Sequence, residues 1–239
     1  NNLAGQVPKW MLNISTETLE YLDLSVNSLI GFGQPSPVVL PWVKLEVLYL
    51  DLNMLQGPLP IPQPSILDYE ISDNKLTGEI SPLICVLSAL QFLDLSNNNL
   101  SGMLPQCLGD FSNDLQILNV RNNSFHGVLP QAYTNTSNLR IFDVSLNQLQ
   151  GQLPRPLANC VMLESLILLN NEFHDVFPFW LGCLPELKLL SMHHNEFYGV
   201  IGKQKRNLHF PELRILDLSH NNFKGAFPSE CIFTGNPMR

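Results

Sequence analysis

Carboxylates, imidazoles and cysteines are the side chains of this chain that could do chemistry. Asp23, Asp51, Asp68, Glu70, Asp73, Asp94, Asp143 and Asp217 recur in short stretches of similar wording. Two carboxylates flanking a glycosidic bond can hydrolyse it. One of them must then sit in an enclosing pocket that raises its pKa, and nothing around these residues predicts such a pocket. His193 and His194 are adjacent, and His220 follows 26 residues later. Imidazoles bind metals and titrate near neutrality. A zinc site takes at least three protein ligands, and no third ligand is evident beside the His193–His194 pair. There is no Cys-x-x-Cys pair, phosphate-binding loop or nucleophile motif. The sequence therefore predicts no enzyme, no metal and no cofactor.

The elements that position these residues are repeats. LDLSNNNLSGMLP at Leu93–Pro105 recurs as LDLSVNSLIG, LYLDLNMLQGPLP, YEISDNKLTGEIS, LNVRNNSFHGVLP, FDVSLNQLQGQLP, LILLNNEFHDVFP, LSMHHNEFYGVIG and LDLSHNNFKGAFP. One asparagine marks the register at Asn27, Asn53, Asn74, Asn98, Asn123, Asn147, Asn171, Asn195 and Asn221, with steps of 21 to 26 residues. That period carrying L-x-x-L-x-L-x-x-N-x-L is the leucine-rich-repeat signature. The predicted fold is α/β: a leucine-rich-repeat solenoid of about ten coils with a parallel β-sheet on the concave face. 3₁₀ turns and short second strands should lie on the outer side. Leu93 and Leu95 should point inward and Phe92, Asp94 and Ser96 outward, because strand side chains alternate. No coil buries its leucines alone, so neighbours stack into one core. The inward asparagine, with both a donor and an acceptor, should satisfy the backbone where the strand turns away.

Residues 1–239 read as one repeat domain, truncated at both ends, since neither end shows a polar cap of the kind solenoids need. No apolar run of 18 residues appears, so no segment is expected to insert into a membrane. The net charge of −8 is uneven. Residues 1–119 carry 12 acids and 3 bases, and residues 120–239 carry 9 and 10. An acidic domain argues against nucleic acid as partner and could steer a cationic one.

Five cysteines are present. Cys85 and Cys107 occupy similar places in adjacent coils, so a bridge between them is expected. Cys160 takes a leucine slot and should be a buried thiol. Cys183, in the following coil, is near enough to be considered as its partner, though its side chain should point elsewhere. Cys231 has no evident partner. Sequons stand at Asn13, Asn99, Asn122 and Asn135, and with the bridge they favour an extracellular setting. The repeat is irregular in three places. GFGQPSPVVLPW interrupts the Asn27 coil; Pro58, Pro60, Pro62 and Pro64 replace the outer turn of the next; Lys203, Lys205 and Arg206 make a basic loop.

The Asn-x-Leu-Ser-Gly-x-[IL]-Pro coil resembles the repeat of plant extracellular receptors. GPLPIPQPSI, GEISPLICVLSALQFLDLSNNNLSG, LPQCLGDFSNDLQILNVRNNSFHG, FPFWLGCLPELKLLSMHHNEFYGVIG and HFPELRILDLSHNNFKGAFPSE are similar to resistance-type receptor-like proteins of the Cf class. The resemblance implies an extracellular ligand-recognition segment of a plant immune receptor, just before an island loop. It implies attachment of the whole protein at the plasma membrane, a peptide or protein elicitor as ligand, and signalling through partner receptor kinases. A secreted polygalacturonase inhibitor and the ectodomain of a receptor kinase are the alternative readings.

Strand alternation gives the expected ligand face. One outward column is Asp23, Tyr49, Glu70, Asp94, Asn119, Asp143, Ile167, Ser191 and Asp217; the next is Ser25, Asp51, Ser72, Ser96, Arg121, Ser145, Leu169, His193 and Ser219. The candidate ligand-binding residues are Tyr49, Asp51, Glu70, Asp94, Asn119, Arg121, Asp143, Ile167, Leu169 and His193. They run from an acidic end to an exposed apolar patch at Ile167 and Leu169.

Overall fold

The computed structural model describes residues 1–34, 37–109, 114–133, 138–201 and 210–226. The expectations for Asn135, Lys203, Lys205, Arg206 and Cys231 concern residues outside this set. Nine parallel strands form the inner sheet in strict chain order, from Tyr21–Asp23 to Ile215–Asp217. Their register is constant: Leu93 pairs with Tyr69 on one side and Leu118 on the other. The middle residue of each three-residue strand faces the core. Leu48, Tyr69, Leu93, Phe142, Leu166 and Leu190 are fully buried there.

A second row of short strands follows each turn. Gln56–Gly57, Lys75–Glu79, Asn99–Met103, Ser124–Gly127, Gln148–Gly151 and Glu172–Phe173 make one sheet. Ala4–Gln6 with Ser28–Gly31, and Tyr198–Val200 with Asn222–Lys224, form separate pairs at either end. Outer 3₁₀ turns span Pro82–Val86, Gln106–Gly109, Arg155–Asn159 and Phe179–Cys183. One α-helical turn, Lys9–Leu12, stands in that place in the first coil. No helix among the described residues is long and apolar enough to cross a membrane.

The asparagine ladder closes the inner turns. Asn98 Nδ2 donates to the carbonyls of Leu95 and Ser96 in its own coil and of Ile71 in the coil before, while its Oδ1 accepts the Leu76 N–H. The same four-bond set recurs at Asn53, Asn74, Asn123, Asn147, Asn171, Asn195 and Asn221. Asn27 makes the local bonds and accepts the Leu3 N–H. Asn123 is half-buried rather than buried, because the Arg121 carbonyl it caps lies at the surface.

The residue before each ladder asparagine is left-handed. Val26, Leu52, Asp73, Asn97, Asn122, Leu146, Asn170, His194 and His220 have φ between 51° and 56°. Asn, Asp and His tolerate this region, while Val and Leu pay for their Cβ there. Four residues after most ladder asparagines stands a glycine with φ near 80°, such as Gly151 (φ 81°). A Cβ on Gly151 would also lie 3.0 Å from Val128 Cγ1 of the coil before. In the Asn171 coil this glycine is replaced by Asp175, which is buried, and the second sheet ends after Phe173.

The short Asn74 coil is filled in its own way. Tyr69 takes a leucine slot, is fully buried, and donates its hydroxyl to the Pro60 carbonyl at 2.7 Å. The proline-rich run before it forms no helix, since proline lacks the N–H a helix interior needs.

A disulfide joins Cys85 and Cys107, with Cα atoms 5.9 Å apart, tying one outer turn to the next. Cys160 is fully buried in the core and outside any disulfide, and Cys183 is free and exposed.

Candidate functional site

The inner sheet presents the two outward columns, and hydrogen bonding sorts their acids into two kinds. Asp23, Asp94, Asp143 and Asp217 each accept the backbone N–H two residues on, at Ser25, Ser96, Ser145 and Ser219, over 2.8–3.0 Å. Asn119 does the same for Arg121 at 3.1 Å. These side chains hold the strand exit and are structural. Asp51 and Glu70 make no such turn.

Asp51, Asp68 and Glu70 are crowded without a counter-charge. Among the described residues, none of these three or of Asp23, Asp73 and Asp94 forms an ion pair within 4.0 Å. Burial, then the charges of Asp23, Asp73 and Asp94, pushes the Asp51 carboxyl above its ordinary pKa. Burial, then Asp68, Asp94 and Asp51, does the same to Glu70. Burial raises Asp68, against the Tyr49 hydroxyl, which donates to it at 2.7 Å. That bond in turn pushes the Tyr49 phenol strongly up.

The middle of the face differs from the expected exposed rows. Asp143 and Ser191 are buried, Ser96 is 5% exposed and Ser145 is fully buried. Ile167 and Leu169 are half-buried rather than an exposed patch. On a concave sheet the side chains converge, so short ones are covered by longer neighbours. Asp143 lies between Asn119 and Ile167 on the paired strands. The Ser145 hydroxyl has no hydrogen-bond partner. Arg121 is exposed, and Ile215 is 55% exposed at the last strand. Glu164 clamps three coils along one side, to Arg140 at 2.9 Å and Lys188 at 2.6 Å. The Lys188 bond, more than Arg140, holds its carboxyl below the usual range.

Three imidazoles gather at the other end. The His193 and His220 ring centroids are 4.8 Å apart, His194 and His220 5.7 Å, and His193 and His194 5.8 Å. His193 Nδ1 lies 2.6 Å from Ser219 Oγ, and the Ser219 hydroxyl donates to Asp217. That bond, then the nearby His193 and His220, lowers the Asp217 pKa. The constant register puts His220, one coil on, beside His194, as its spacing implies. Among the described residues no group of three potential ligands is arranged to hold a metal ion.

The sequon asparagines Asn13, Asn99 and Asn122 are all exposed. The Asn122 amide donates to Asn97 Oδ1 at 2.9 Å, and Asn97 to Asp73 Oδ1 at 3.0 Å, in a short surface ladder.

This geometry defines a repeat solenoid with a continuous concave face. The Leucine Rich Repeat family model matches residues 89–111, 114–135, 138–160 and 212–233. Receptor-like protein 7 of Arabidopsis thaliana is 46% identical over 108 residues, 45% of this chain and 11% of that protein. Receptor-like protein 53 of the same plant is 40% identical over 115 residues, 48% of this chain and 9% of that protein. Among solved structures, the ectodomain of the Arabidopsis receptor kinase HAESA, in complex with an IDA peptide hormone, superposes with a TM-score of 0.81 at 31% identity. It is covered over 95% of this chain and 38% of that one. The PEPR1–AtPEP1 structure gives 0.77 at 26%, over 96% and 35%. The matched stretches thus span about a tenth of the length of these curated relatives. The chain is thus similar to plant leucine-rich-repeat arrays of the receptor-like protein type.

Proposed function

We propose that this array is the ligand-recognition segment of a plant cell-surface immune receptor, on the outer side of the plasma membrane. The whole receptor would bind a peptide or protein elicitor and signal through partner receptor kinases. The observation that carries the reading is the crowded acidic end of the concave face. Asp51, Asp68 and Glu70 are partly buried, raised in pKa and without cationic partners. Unlike Asp94 and Asp143, Asp51 and Glu70 hold no strand exit, so the fold does not need their charges. A basic segment of a ligand would neutralise them. The HAESA–IDA and PEPR1–AtPEP1 complexes, solved structures similar to this chain, support the reading by likeness.

The test is charge reversal at Asp51→Lys and Glu70→Lys in the full-length receptor, scored by elicitor-triggered response at equal surface level. The reading expects a loss of at least about tenfold in sensitivity, since close interfacial charges carry energies of that order. An unchanged response would remove the acidic end from the docking face.

A further inference from the structure

The outer wall of the solenoid has an opening between the Asn27 and Asn53 coils. In regular coils the second strands pair along their length, as Thr77, Gly78 and Glu79 do with Asn99, Leu100 and Ser101. Here Ser28–Gly31 pairs only with Ala4–Gln6, and Gln56–Gly57 only with the strand after it. The Asn27 and Asn53 coils touch where the Met54 N–H donates to Leu29 O. They touch again where the Ile61 carbonyl accepts the Leu40 N–H and the Ile61 N–H donates to the Val38 carbonyl, a bridge centred on Val39. Between these two closures the strands part around a slot of about 430 Å³. That is within the size range of ligand pockets.

The chemistry of the slot is distinct from the rest of the surface. Its floor is Phe32, Leu55 and Leu76, all buried, and its rim carries the amides of Gln6, Gln34 and Gln56. None of its lining residues is charged, on a chain whose net charge is −8. Both strands leave an edge facing the opening. An unpaired strand edge offers N–H and C=O groups to an added strand.

We propose that this slot binds a short, uncharged, extended peptide segment. The segment lies along one of the two open strand edges and sets one aliphatic side chain on the Phe32–Leu55–Leu76 floor. The glutamine amides satisfy its backbone beyond the strand edge, and the absence of charge disfavours ionic side chains. This site stands on the outer wall and is independent of the concave face.

The experiment is a calorimetric and NMR titration of the intact chain with two blocked tripeptides, acetyl-Gly-Leu-Gly-amide and acetyl-Gly-Glu-Gly-amide. The leucine peptide should bind saturably with a dissociation constant of about 1 mM or tighter, and the glutamate peptide at least about tenfold more weakly. Gln56→Trp, which fills the slot from its exposed rim, should lose the leucine peptide. So should Ile30→Glu, which puts a charge in its half-exposed wall and keeps the test open if the first variant fails to fold. Asp51→Lys with Glu70→Lys should leave it unchanged. No saturable binding by the parent up to about 10 mM, equal binding of both peptides, or undiminished binding by a folded slot variant would each overturn the proposal.

Discussion

Asn98 shows what one ladder residue does. It satisfies three carbonyls and one N–H across two coils, in a position that is only 8% exposed. A buried polar group left without a partner costs about 1–3 kcal/mol. Asn98→Ala should therefore lower stability by about 3–5 kcal/mol in urea unfolding; a loss under about 1 kcal/mol would contradict the ladder. The left-handed residue beside the ladder predicts the opposite sign. Leu52 has φ 52° and is 50% exposed, so it pays for its Cβ and buries little in return. Leu52→Asn should raise stability by about 1 kcal/mol by the same measurement. The ladder was legible in the sequence because asparagine, with both amide donors and an acceptor, recurs at one register position. The left-handed slot was not, because Val26, Leu52 and Leu146 occupy it as readily as Asn97 or His194. The structural role of Asp94 and Asp143 also lay hidden. A carboxylate that closes a strand exit and one that meets a ligand have the same letter and the same spacing.

At the scale of elements, the disulfide and the acidic strands set local stability. Cys85 and Cys107 close a loop of 22 residues between two outer turns. Removing such a link costs about 3 kcal/mol, so Cys85→Ser with Cys107→Ser should lower the unfolding free energy by roughly that amount. The acidic strands act through pH. Glu70 and Asp51 have folded pKa values above their unfolded ones, so their ionised forms disfavour the fold. That penalty is complete only above the raised folded pKa. It fades as pH falls through the folded pKa, and is gone below the unfolded one. Glu70→Gln should be more stable than the parent at pH 7, with the difference vanishing by about pH 4; a difference that grows on acidification would reverse the sign of the argument. The sequence marked the irregular GFGQPSPVVLPW stretch. It did not show that the second sheet opens there, because the closing bonds run between Leu40 and Ile61, outside the repeat register.

Over the whole molecule, one surface changes character from end to end. Carboxylates crowd the early coils, half-buried Ile167 and Leu169 follow, and three imidazoles close the row. The period alone made the order of these groups legible. Their exposure was not, since it depends on how the concave sheet draws neighbours over Ser145 and Asp143. The proposed recognition on this concave face can be tested with sugar as a wedge. Arg121→Thr creates a sequon at Asn119 on the inner sheet, and Val86→Asn creates one on an exposed outer turn, where Ser88 already stands. Each would be placed in the full-length receptor, its occupancy read from the mass shift and its surface level matched. Elicitor sensitivity is then measured for both. A glycan on Asn119 should abolish the response and one at position 86 should leave it intact. A full response with Asn119 occupied would contradict recognition on this face.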